Sequence, residues 1–281
     1  MPDSRTSSII GIDGHAHVFS SDLSLTAGRR YTPDYDATLD AYLQQLRDNG
    51  LSHGVLVQPS FLGTDNQYLL DALAKAPDQL RGVAVVDLDI SREALRQMDE
   101  QGIVGIRLNL MGKPLPDFTE PAWKRLLDEV SALGWHVELH RGVEDIPGLI
   151  RGLMPFGCKI VVDHFGRPDA GLGIDHPAFQ GLLDCGLSGR VWVKVSAIYR
   201  LGGSDEQNAE FAKAALPLLI KCFGPNRLVW GSDWPHTQHE AEIDFARVIG
   251  QLQALGCSQA VRQALLVEAP QVLFDFAAVD A

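Results

Sequence analysis

The chain has 281 residues, 46% hydrophobic and 21% charged, the composition of an ordinary globular protein that buries a sizeable core without staples. Its formal charge of −12, from 36 acidic against 24 basic residues, argues against the extended basic face that a phosphate backbone demands, so nucleic acid is not an expected partner. Cys158, Cys185, Cys222 and Cys257 are too scattered for a zinc site or a disulfide framework, "MPDSRTSSIIGIDG" lacks the apolar core of a signal peptide, and no run approaches the roughly 20 apolar residues of a membrane span; a cytoplasmic protein with no membrane partner is expected.

In chain order, β-rich runs stand at 8–13 (SIIGID), 53–58 (HGVLVQ), 81–86 (RGVAVV), 103–109 (IVGIRLN), 135–140 (WHVELH), 159–164 (KIVVDH), 190–196 (RVWVKVS) and 227–233 (RLVWGSD). Between them apolar residues recur at helical spacing, as in Leu39, Leu43 and Leu46, or in Trp123, Leu126, Leu127, Val130 and Leu133, where Thr119 is the expected cap and Pro121 the opening residue. Gly50, Gly102, Gly134 and Gly224 mark helix ends. Most strands are nearly continuous apolar runs, as parallel strands covered on both faces are. Eight βα units predict one α/β domain over 1–281, a closed (β/α)8 barrel of the TIM type. No GxGxxG follows the first strand and no GxxxxGK[ST] occurs, so nothing supports a dinucleotide or phosphate loop.

In such a barrel the chemistry sits at the C-terminal ends of the strands. There the chain carries Asp13, His15 and His17, then Arg107 and Asn109, His140 and Arg141, Asp163 and His164, and finally Ser232 and Asp233. Residues two apart in an extended segment share a face, so His15 and His17 both address the barrel axis and make half a metal site or a clamp for a carbonyl oxygen. With His140, His164 and Asp233 they form a set of ligand or acid/base types. His53, His136, His176 and His239 read as surface or structural, and the Met and Trp residues as packing.

The segments "IDGHAHVF", "GIRLN", "VVDHFGRPD", "VWVKVSAIYRL" and "RLVWGSDWPH" resemble the amidohydrolase superfamily, in particular its lactonase branch, the pyrone dicarboxylate lactonases. The resemblance implies a barrel hydrolase of aromatic catabolism that opens a carboxylated lactone such as 2-pyrone-4,6-dicarboxylate or a related pyrone or muconolactone. It implies that Asp233 activates water, that His15, His17 and His164 polarise the carbonyl, and that Arg107 and Arg200 hold substrate carboxylates, a task suited to a planar guanidinium. Two positions depart from the branch: His140 replaces a tyrosine and Lys113 an arginine, which alters the substrate pocket. Asp163, Arg167 and Asp169 are expected to fix the loop that places His164, and His236 to reach the pocket from the last loop. Either no cofactor is needed or one divalent ion, Zn²⁺ or Mn²⁺, is held among His15, His17, His140, His164 and Asp233; a stabilised enolate leaving group favours the first, His140 the second. Competing expectations are a metal-dependent, non-oxidative decarboxylase of the same superfamily and a barrel that binds an anionic metabolite without turnover. The expected partners are a small anionic lactone and, in a homo-oligomer, further copies of the chain.

Overall fold

The computed structural model describes residues 9–276; Ser8, which opens the first predicted strand, lies outside the described residues. These form β1 (Ile12–Ala16), α1 (Leu39–Asp48), β2 (His53–Val57), α2 (Gln67–Lys75), β3 (Leu80–Ala84), α3 (Arg92–Glu100), β4 (Ile103–Asn109), α4 (Pro121–Ala132), β5 (His136–His140), α5 (Ile146–Leu153), β6 (Lys159–Val162), α6 (Pro177–Asp184), β7 (Val191–Ser196), α7 (Asp205–Phe223), β8 (Leu228–Gly231) and α8 (Phe245–Ala254), then α9 (Gln259–Gln263) and α10 (Ala269–Leu273). Each strand pairs in parallel with the next in a sheet of order β1 to β8. The seam between β8 and β1 is closed by Asp233 N–H donating to His15 O (2.8 Å) and His17 N–H to Trp234 O (2.7 Å). This is the single (β/α)8 barrel that the eight units predict. No helix among the described residues is long and apolar enough to cross a membrane.

Strand parity divides the interior into layers. In "VWVKVS" the outward Val191, Val193 and Val195 pack under the helices, and Trp192, Lys194 and Ser196 alternate with them. The floor is apolar: Ile12, Val55, Val57, Val83, Val161, Trp192 and Val229 close on Phe274, which follows α10 and has no exposed surface. Gly14 keeps this floor open to Phe274, since a Cβ there would lie 2.7 Å from Trp230 O and 3.3 Å from the Phe274 ring. Above it comes a charged layer, His136, Glu138, Arg107, Asp163 and Lys194, all at most 4% exposed.

Two local expectations shift. β1 begins at Ile12: Ile10 is exposed, Ile9 packs only partly buried against the floor, and Ile12 is its first fully buried side chain. Thr119 does not cap α4: Glu120 holds the cap position, Pro121 opens the helix, and Thr119 gives both its N–H and its hydroxyl to Asp117 instead.

Candidate active site

Asp13 anchors the site from behind. Fully buried, it accepts from Ser232 N–H (2.7 Å), Ser232 Oγ (2.5 Å), Tyr42 Oη (3.1 Å) and His15 N–H (3.2 Å), tying β1 to the end of β8. Burial pushes its pKa up to about 6 against the pull of these donors. The tie sets Asp233 opposite the histidines, and Asp233, His164, Phe165, Arg167 and Ala197 all sit at positive φ, so the backbone leaves β6, β7 and β8 in sharp turns. Such conformations cost free energy and cluster where side chains must be aimed.

Asp233 is the centre of the arrangement. Its Oδ2 accepts from Arg200 Nε (2.5 Å) and Tyr199 Oη (2.6 Å). Its Oδ1 faces the Nε2 atoms of His15 (3.5 Å), His17 (3.6 Å) and His164 (3.9 Å). Burial, the largest single influence, would raise the Asp233 pKa; the Arg200 guanidinium together with the surrounding histidines outweighs it and holds the carboxyl well below the usual range, so it is ionised at neutral pH. His15, His140 and His164 are driven well below the ordinary imidazole value, first by burial and then by cations such as Lys194 or Arg107, although Asp233 pulls His164 the other way. They are neutral rings.

The far nitrogens are all engaged. His17 Nδ1 lies 2.7 Å from Val57 O, which can only accept; His164 Nδ1 is hydrogen-bonded to Ser196 Oγ (2.8 Å); and His15 Nδ1 lies 2.9 Å from Lys194 Nζ. Lys194 in turn donates to Glu138 Oε2 at 2.5 Å. Arg107 donates twice to Asp163 Oδ2, at 2.7 and 2.9 Å, and stands 3.3 Å from Glu138 Oε1. His140 lies 3.3 Å from Asn109 Oδ1 through Nδ1, and its buried Nε2 has no hydrogen-bond partner among the described residues.

Above this centre opens a cleft lined by His17, His140, His164 and Asp233 together with Arg30, Arg107, Arg167 and Arg200. Asp233 is the one carboxylate among its described lining residues, facing four arginines, so the local field is positive although the chain is acidic. His15 lies directly beneath the lining, with no exposed surface. Of the expected site residues, Lys113 is not brought in: it is exposed and lines a neighbouring groove. His236 is buried behind Tyr199, 3.3 Å from its hydroxyl, and does not line the cleft. Arg107 and Arg200 line it with acid partners already in place. Arg167, expected to fix a loop, lines it without a side-chain partner among the described residues, its pKa pushed down to about 10 by burial and by Arg200; Asp169 does hold its loop, accepting from Gly171 N–H (2.9 Å).

Two groups of donors are close enough for a metal ion, His15 with His17 and Asp233, and His15 with Asp163 and His164; His140 belongs to neither. The spacing in the first would seat a divalent ion. The second already contains cations, since Lys194 Nζ stands 2.9 Å from His15 Nδ1 and 3.6 Å from Asp163 Oδ1, and Arg107 occupies the other oxygen of Asp163.

Lys194, Glu138, Tyr199 and Arg30 escape the sequence reading. The signal for two of them was present: a charge in the middle of "VWVKVS" and of "HVELH" shares strand parity with the site residues Ser196 and His140.

Comparison with known proteins agrees with this geometry. A curated 2-pyrone-4,6-dicarboxylate hydrolase of Comamonas testosteroni is 32% identical over 94% of this chain and 89% of its own length. A 4-sulfomuconolactone hydrolase of Hydrogenophaga intermedia is 28% identical over 93% and 88%. The crystal structure of a Pseudomonas putida protein, described as a 2-pyrone-4,6-dicarboxylic acid hydrolase, superposes with a TM-score of 0.93 at 55% identity, covering 97% of this chain and all of that one. The amidohydrolase family model matches residues 12–276, nearly the whole barrel, and the chain belongs to that family.

Proposed function

We propose that the protein opens the ring of a small anionic lactone, of the kind named for its relatives: a pyrone dicarboxylate or a muconolactone. One observation carries this reading: an ionised carboxylate with one free oxygen, ringed by three imidazoles, at the bottom of a cleft lined by four arginines. Water held between Asp233 Oδ1 and His17 Nε2 attacks the lactone carbonyl carbon, and Asp233 takes its proton. His164, with His15 beneath it, stabilises the oxyanion as it forms. The tetrahedral intermediate collapses by breaking the ring C–O bond; the ring oxygen leaves as an enolate from a pyrone or as an alkoxide from a muconolactone, and recovers the proton from Asp233. The new carboxylic acid ionises, so each turnover releases one proton to solvent. The arginines hold the substrate's carboxylates, Arg167 and Arg30 with guanidiniums that have no acid partner.

We assign no metal to this reaction. The donor spacing would accept an ion, but four arginines in the lining and the Lys194 ammonium against His15 make the surroundings unfavourable to a dication. The free cysteines fit a reducing compartment, and we place the enzyme in the cytoplasm.

Proton release in a pH-stat with 2-pyrone-4,6-dicarboxylate and with a muconolactone, before and after exhaustive chelation and elemental analysis, tests the reading. Activity surviving metal removal supports it. Asp233→Asn is expected to lower kcat by about 100- to 10,000-fold. Carbon dioxide release in place of proton release would turn the assignment to a decarboxylase, and binding without either product to a non-catalytic barrel.

A further inference from the structure

Lys194 projects from the middle of β7 into the barrel interior with no exposed surface. Its ammonium has three polar neighbours: Glu138 Oε2 at 2.5 Å, His15 Nδ1 at 2.9 Å and Asp163 Oδ1 at 3.6 Å. An ammonium only donates, so the His15 nitrogen that meets it must accept. In a neutral imidazole one nitrogen accepts and the other carries the hydrogen, which places the His15 proton on Nε2. The carboxylates that might instead take a proton from Nδ1 lie farther off, Asp163 Oδ1 at 3.5 Å and Glu138 Oε1 at 3.6 Å. His15 Nε2 is buried, has no hydrogen-bond partner among the described residues, and points toward Asp233 Oδ1. His17 Nδ1 donates to Val57 O, and its Nε2 likewise faces Asp233 Oδ1, at 3.6 Å. The pair at the end of β1 thus aims both Nε2 atoms at the same carboxylate oxygen.

We propose that Lys194 is a positioning residue: braced by Glu138, it fixes the His15 proton on Nε2, makes His15 a hydrogen-bond donor toward the reacting centre, and bars it from ligating a metal through that nitrogen. Gly231 leaves the room this arrangement needs, because a Cβ there would fall 2.7 Å from His15 Cβ. A strand-7 lysine in this role puts a positive charge on the Nδ1 side of His15, across the ring from the Nε2 that faces Asp233. What the donor is used for rests on the lactonase reading; which nitrogen carries the proton does not.

Nitrogen-15 NMR of the full-length protein labelled at histidine decides the tautomer, with His15 assigned by the signal lost in His15→Gln. The expected spectrum shows one-bond N–H coupling at His15 Nε2; coupling at Nδ1 would overturn the proposal without any Lys194 variant having to fold, and whether or not a lactone is opened. Lys194→Met is expected to lose the Nε2 preference and about 100-fold in kcat, with KM changed less than about threefold. Lys194→Gln, whose amide N–H donates to Nδ1 without charge, is expected to restore the tautomer and about tenfold of the lost kcat; equal impairment of both variants, with the wild-type tautomer kept, counts against Lys194. Zn²⁺ titrated into the wild type should leave the His15 Nε2 resonance unmoved and should shift it in Lys194→Met; a shift in the wild type would refute the barring of metal.

Discussion

Replacing Arg200 by Met removes the cation that keeps Asp233 ionised. The guanidinium donates to Asp233 Oδ2 at 2.5 Å in a setting where the Arg side chain is 11% and the Asp side chain 3% exposed. With charge centres about 4 Å apart and an effective dielectric constant of about 20, the pair is worth about 4 kcal/mol, or about 3 pKa units. Tyr199 still donates to the same oxygen and water enters the space, so a rise of about 1–3 units is expected. The sign follows from the free carboxylate being the base: the wild type keeps it ionised down to pH values well below the usual carboxylate range, whereas the variant loses it as pH falls through the raised value. The acid limb of kcat/KM, measured by pH-stat and indicator assays from pH 4 upward with circular dichroism to verify folding, should therefore move up. An unmoved limb in a folded variant would show that Asp233 is not the titrating base, and the mechanism would fall with it.

Arg167→Met removes a cleft guanidinium that has no acid partner to leave stranded; KM for a dicarboxylate lactone should rise about 10- to 100-fold at nearly constant kcat, while a lactone without carboxylates is barely affected, as steady-state kinetics would show. Asp13 has a folded-state pKa of about 6 against an ordinary 3.8, so folding takes up a proton there: its contribution favours the fold below pH 3.8 and is lost as pH rises through 6, about 3 kcal/mol in all. Urea unfolding between pH 4 and 7 should show this slope in the wild type, and its persistence unchanged in Asp13→Asn would refute the assignment. Gly231→Ala should cost about 1–3 kcal/mol in the same assay and lower kcat, because the added methyl lands 2.7–2.8 Å from His15 Cβ and N.

The barrel was legible because parallel strands are short apolar runs and each helix ends in a recognisable break; predicted and observed strands differ by a few residues at most, the largest shift being at β1. The strand-end histidines were legible for the same reason, since period-two geometry and the barrel rule together say where to look. Lys194 and Glu138 were not, because each sits in an otherwise apolar run and the partners stand on β7 and β5, which are not neighbours in the sheet. Their pairing exists only once the barrel has closed. Arg167 was expected, with Asp163 and Asp169, to fix the loop that places His164, and only the folded chain, with its left-handed backbone at His164, Phe165 and Arg167, puts the residue in the cleft lining. His136 was read as structural, and its place in the charged layer over Phe274 depends on a helix more than a hundred positions downstream.

The sealed floor has a consequence for turnover. Because Phe274 and the apolar layer close the barrel from below, the well is open at one end, and what is made in it leaves by the mouth through which the substrate came. Opening a lactone adds a carboxylate, so the departing molecule carries one more negative charge than the arriving one and passes the same four arginines. The positive field that draws the substrate in therefore retains the product more strongly, so product competes with incoming substrate for the well.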